Sequence, residues 1–124
     1  MAERFPPRVL IVDDQPAMAR TMARLLRDTA EVTTATSGAE ALARITSGER
    51  FELVLSDIMM PEMTGLELFE RVRAIDAQAA ATFVFTTGGI SPEHRAQLAS
   101  TGARCIMKPC DVSELRKLLE QKAE

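Results

Sequence analysis

The sequence predicts an α/β domain: a five-stranded parallel sheet covered by helices on both faces. Three observations predict it. Short apolar runs recur along the chain, stretches with helical spacing lie between them, and capping residues mark where those stretches begin. Strands buried on both faces read as continuous apolar runs, and these runs do.

The first strand is read at Val9–Val12 and ends in two adjacent carboxylates, Asp13 and Asp14. Met18, Met22, Leu25 and Leu26 then recur at helical spacing and predict the first helix. Val32–Thr36 is the second strand. Ser37 with Glu40 three residues later has capping-box spacing and opens the second helix, with Gly48 after its end. Leu53–Ser56 is the third strand and ends in Asp57, within LVLSDIMMPEMTG. Thr64 and Glu67 repeat the capping spacing before Leu66, Phe69 and Val72, the third helix. Thr82–Thr86 is the fourth strand, followed by Thr87 in FVFTTGG. Ser91-Pro92 places a cap residue before proline at the first helical position, and Gly102 follows the end of that fourth helix. Arg104–Met107 is the fifth strand, ending in Lys108-Pro109. Asp111 and Glu114 open a fifth helix carrying Val112, Leu115 and Leu118.

At 124 residues the chain is predicted to be one domain, spanning 1–124 with its core at about 8–121. A net charge of −3 and the lack of a basic stripe argue against direct binding to nucleic acid. The apolar runs are too short to span a membrane, and MAERFPPR has no apolar signal segment. Cys105 and Cys110 have neither metal-ligand spacing nor the number for a disulfide framework, so free thiols in a cytoplasmic protein are expected. His94, the single histidine, falls on a helix with no cysteine partner for thiol catalysis. Arg20, Arg24 and Arg27 lie along the first helix, where a solvated face is the default. Met59 and Met60 are loop residues expected to cover the site, and most other methionines are expected in helical core positions.

In an open α/β sheet the ligand site lies beyond the carboxyl ends of the strands. Those ends here carry Asp13, Asp14, Asp57, Thr87 and Lys108. Two carboxylates about 5 Å apart repel by roughly 3 kcal/mol at an effective dielectric of about 20, so the acidic set calls for a cation. Three carboxylates and water form a hard oxygen site suited to Mg²⁺, with Mn²⁺ as a substitute. A lysine and a hydroxyl are the usual company of a phosphoryl group, and an aspartate can be its nucleophilic acceptor.

As a set, VDD, SDIMMPEMTG, TG thirty residues after Asp57 and KP resemble the receiver domain of two-component response regulators, over about Arg8 to Glu120. The resemblance implies a flavodoxin-like (βα)5 fold with strand order 2-1-3-4-5. It implies that Asp57 accepts a phosphoryl group from a histidine kinase or phosphotransfer domain, and that the domain catalyses its own phosphorylation and dephosphorylation. Asp14 would ligate Mg²⁺ directly, Asp13 would act mainly through water, and the Met59 main-chain carbonyl would complete the site. Lys108 would pair with the phosphoryl oxygen, Thr87 would hydrogen-bond it after transfer, and Lys108–Pro109 would be cis. A downstream protein would bind the face of the fourth helix, fifth strand and fifth helix, or the first helix.

The chain departs from the commoner family pattern at Cys105, where an aromatic is usual, at Cys110 after Pro109, and at Gly88-Gly89 after Thr87. These departures bear on the switch, expected to involve Thr87, Gly88, Cys105 and Pro109. The FxTGG form resembles receivers at the C-termini of hybrid histidine kinases. A haloacid-dehalogenase-type phosphatase would need a carboxylate two residues after Asp57, where Met59 stands. A pseudo-receiver would usually lack one of the acidic or lysine positions, and all are present.

Overall fold

The computed structural model describes residues 6–123, with the side chains of Lys122 and Ala123 left aside. Residues 1–7, ahead of the predicted core, therefore fall mostly outside the described residues.

Five strands form the sheet: β1 (Arg8–Val12), β2 (Glu31–Ala35), β3 (Leu53–Asp57), β4 (Phe83–Thr87) and β5 (Arg104–Met107). All pairings are parallel, in the order β2-β1-β3-β4-β5. Side chains alternate across the sheet because a strand has period two. Val9 and Ile11 of β1 therefore enter one core, and Leu10 and Val12 enter the other. The first core packs α1 (Pro16–Leu26) and α6 (Val112–Ala123) on the sheet through Met22, Leu26, Leu115 and Leu118. The second packs α2 (Gly38–Thr46) and α3 (Gly65–Ile75) through Ala41, Leu68, Phe69 and Val72.

Two further helices complete the chain: α4 (Ala77–Ala80) and α5 (Pro92–Thr101). Helix α4 corrects the expectation of five helices. It is a single turn opened by the Asp76 carboxylate, which accepts from the Gln78 and Ala79 N–H groups. One turn is too short to show a periodicity. Helix α5 buries none of its residues. It is capped by Ser91, starts at Pro92, and ends at Gly102 in the left-handed region, φ 71°. That conformation suits glycine.

The other caps vary on the expected pattern. Thr64 and Glu67 form the full reciprocal capping box. Ser37 accepts from the Glu40 N–H, but the Glu40 carboxylate reaches past it to the Thr36 N–H. Asp111 accepts from Ser113 rather than Glu114. The methionines also differ from expectation. Met22 and Met60 are buried, whereas Met59 is 47% exposed and Met107, on β5, is 58% exposed. Leu25, at a predicted apolar position, lies at the rim of α1 and is exposed. No helix among the described residues is long and apolar enough to cross a membrane.

Candidate functional site

Chain order reverses across the sheet between β1 and β3, which places a crevice beyond their carboxyl ends. Asp13 follows β1 directly, held by its own N–H donating to the Ala35 carbonyl at the end of β2. Asp57 closes β3. The structure brings Asp13, Asp14 and Asp57 together, with carboxylate oxygens within 4.8 Å of one another. Lys108 reaches across from the end of β5. Its Nζ donates to Asp13 Oδ2 at 2.8 Å and to Asp57 Oδ2 at 3.1 Å.

Asp57 is only 7% exposed. Burial raises its carboxyl above the ordinary aspartate value, and the neighbouring Asp13 charge adds to that; Lys108 and the Met59 backbone N–H pull the other way without overcoming it. Burial alone would lower the Lys108 ammonium, but hydrogen bonds and charge from Asp13 and Asp57 hold it above the ordinary lysine value. Lys108 is therefore a cation at neutral pH, set against three acids. One positive charge does not balance them, and the remaining oxygens form a hard donor set suited to a hard divalent cation.

The two acids at the end of β1 differ. Both oxygens of Asp13 are engaged, Oδ2 by Lys108 and Oδ1 by the Gln15 N–H at 3.0 Å. Asp14 is half-buried and makes no side-chain hydrogen bond among the described residues. It is the freer of the two to take a ligand.

Thr87 ends β4, and its main-chain carbonyl accepts from the Lys108 N–H at 2.8 Å. Its hydroxyl, however, is turned into its own loop, against Gly89. Thr86 pairs with Asp57 in the sheet register and is buried. Lys108–Pro109 is a cis peptide. Cys105 packs against the α2–α3 core and Cys110 against the α1–α6 core, so the two thiols lie on opposite faces of the sheet. Burial raises both thiols above the ordinary cysteine value.

Two residues that hold Asp57 were not singled out from the sequence. Ser56 is fully buried, and its hydroxyl donates to the Asp57 main-chain carbonyl at 3.0 Å. Gly65 opens α3 against that same carbonyl, and a Cβ placed on it would lie 2.2 Å from the Asp57 oxygen. Only glycine admits so close an approach. The available signals were a lone hydroxyl in an apolar strand and a glycine at the first position of a helix.

A family model described as the response regulator receiver domain matches residues 9–120. The chain is 31% identical over 120 residues to the transcriptional regulatory protein GlrR of Escherichia coli (strain K12), covering 96% of this chain and 27% of GlrR. It is 32% identical over 117 residues to the sensor protein GacS of Pseudomonas syringae pv. syringae, covering 91% of this chain and 13% of GacS. The chain thus spans a minor part of these relatives. Among solved structures, it resembles the chemotaxis protein CheY4 of Vibrio cholerae, with a TM-score of 0.81, 34% identity and coverage of 94% and 98% of the two chains. Fold, strand-end chemistry and likeness agree, and the chain belongs to the response regulator receiver domain family, a signalling module of two-component systems.

Proposed function

We propose that Asp57 is the phosphoacceptor and that this domain catalyses its own phosphorylation. The observation that carries the reading is Lys108 Nζ lying within hydrogen-bond distance of both Asp57 and Asp13, at 3.1 and 2.8 Å. An Asp57 carboxylate oxygen attacks the phosphorus of a phosphohistidine on a histidine kinase or phosphotransfer domain. The new bond is the acyl phosphate P–O; the P–N bond breaks and the imidazole leaves. Phosphoryl transfer needs mainly positioning and charge stabilisation. Ser56 and Gly65 supply the first by fixing the Asp57 backbone. Lys108 supplies part of the second by following a phosphoryl oxygen as the charge moves outward from Asp57.

Asp14, Asp57, the Met59 main-chain carbonyl and, through water, Asp13 are the ligands proposed for Mg²⁺ or Mn²⁺. The bound ion would offset the negative charge gathered where the phosphoryl oxygens arrive. Hydrolysis of the acyl phosphate at the same site would return Asp57 to the carboxylate.

The output passes through Thr87 and the loop after it to α5, β5 and α6, or to a partner on α1. Cys105 is small and half-buried, so no bulky side chain on β5 gates the change. The domain is proposed to act in the cytoplasm, free-standing or as the receiver of a longer kinase.

Intact-mass spectrometry after incubation with acetyl phosphate and Mg²⁺ tests the acceptor. The expected result is one added phosphoryl group on the wild type and none on Asp57→Asn. Full labelling of Asp57→Asn would move the acceptor elsewhere.

A further inference from the structure

Between β3 and α3, residues 58–64 contain a strained turn. The Met63 N–H donates to the Pro61 carbonyl at 2.7 Å, and Glu62 between them has φ 68°. A three-residue turn with positive φ at its middle residue is the rare, strained form. Such a turn persists only where its surroundings hold it. At its ends the segment is closed by the Gly65 N–H, which donates to the Ile58 carbonyl at 2.8 Å.

Three side chains pin the rest. Ile58 is fully buried and Met60 is nearly so, both in the α2–α3 core. Met63 packs against the same core and lies on Gly38, the first residue of α2. A Cβ built on Gly38 would stand 2.7 Å from Met63 Sδ and 3.0 Å from its Cβ and Cγ. Gly38 is not at positive φ, so the approach of Met63, rather than a torsion, excludes a side chain there. Met59 falls between Ile58 and Met60, with its side chain exposed and its N–H against the Asp57 carboxylate.

We propose that Met63 and Gly38 are a positioning pair: the Met63 thioether, seated on the start of α2, fixes the strained turn and so sets where the Met59 backbone meets Asp57 and the cation. A main-chain carbonyl has no side chain of its own to orient it, so its placement depends on supports of this kind. Neither residue belongs to the ligand set; both act through Met59. The inference rests on the proposed ligands Asp14, Asp57 and the Met59 carbonyl, and adds what holds the last of them in place.

The test is calorimetric titration with Mg²⁺ alone, on the wild type, Met63→Ala, Met63→Leu, Gly38→Ala and the Gly38→Ala/Met63→Ala double variant. Amide NMR spectra of the metal-free proteins run alongside. Met63→Ala and Gly38→Ala should each bind Mg²⁺ about 10-fold more weakly, as loss of a ligand's outer support does. Met63→Leu keeps an apolar side chain of similar volume on Gly38 and should stay within about twofold of the wild type. The double variant should bind no more weakly than Met63→Ala, because both changes act through one contact. In the metal-free Met63→Ala protein, the Met59 amide resonance should move while those of Phe69 and Val72 in α3 stay in place, which general loosening of the fold would not produce. Wild-type Mg²⁺ affinity in both single variants overturns the proposal, and so does an unmoved Met59 amide in Met63→Ala. A wild type that binds no Mg²⁺ overturns the reading of the cation site itself, and this inference with it.

Discussion

Helices α3 and α5 both follow strands that end at the site, and they are held in opposite ways. Helix α3 buries Gly65, Leu66, Leu68, Phe69 and Val72, opens with a full capping box, and presses its first residue onto the Asp57 carbonyl. Helix α5 buries nothing, and only His94, Leu98 and Thr101 are even half-buried. The strand before α3 carries Asp57, the proposed nucleophile, whereas the strand before α5 carries Thr87. The difference teaches a division of labour. Chemistry needs a nucleophile fixed to a fraction of an ångström, and signalling needs an element that moves at small cost. Regions with few buried apolar contacts are the ones that open locally.

The largest expected effect sets these two helices against each other directly. Leu68→Ala should cost about 3 to 4 kcal/mol, within the usual range for a fully buried leucine, whereas Leu98→Ala should cost about 1 kcal/mol or less. Denaturant melts of the two variants check this, and equal losses would break the comparison. Next comes Gly65→Ala. Its Cβ meets backbone and cannot be accommodated by a rotamer change, so a loss of about 2 to 3 kcal/mol is expected from overpacking. Acetyl phosphate labelling should slow in the same variant, because the displaced atom is the Asp57 carbonyl.

A pH-dependent effect sharpens the picture of Asp57. Its folded carboxyl sits above the ordinary value, chiefly through burial, so ionising it costs stability in the absence of a divalent cation. Asp57→Asn without metal should therefore melt above the wild type at neutral pH. The advantage should shrink as pH falls through the raised folded value, and vanish below the ordinary value of 3.8, where both states are protonated. Calorimetry in chelator across that range reads it, and an advantage that grows on acidification would contradict the sign. The smallest effect is at Glu62, the one non-glycine residue at positive φ among those described, 68°. Glu62→Gly relieves that conformation but adds chain entropy, leaving a net gain of about 0.5 kcal/mol in denaturant midpoint measurements.

Much of this was legible in the sequence because it rests on periodicity and on residue type at strand ends. Asp13, Asp14, Asp57 and Lys108 meet at one edge since parallel strands all end there, whatever the details of packing. What could not be read depends on distances between elements or on a single torsion. Thr87 could be placed at the end of β4, but not the turn of its hydroxyl toward Gly89. Leu25 fits the helical spacing yet lies at the rim, because only contact with the sheet decides how wide the apolar stripe of α1 needs to be. Gly65 stands inside a quoted motif, and nothing in its neighbours announces that the carbonyl at the end of β3 presses against it.

The aromatic side chains of the sheet have an experimental use. The chain has no tryptophan and no tyrosine, so the usual optical signals of tertiary structure are missing. In their place, Phe69, Phe83 and Phe85 stand as a triad with ring centroids 5.6 to 5.9 Å apart, two of them on the strand that ends in Thr87. Ile90 and Leu98 pack against the core that holds those rings. Their methyl resonances therefore report on the packing of the segment after Thr87 against that core. Any swing of the segment between Thr87 and α5 will move those resonances, so methyl spectra can follow the signalling state with no dye, tag or introduced residue.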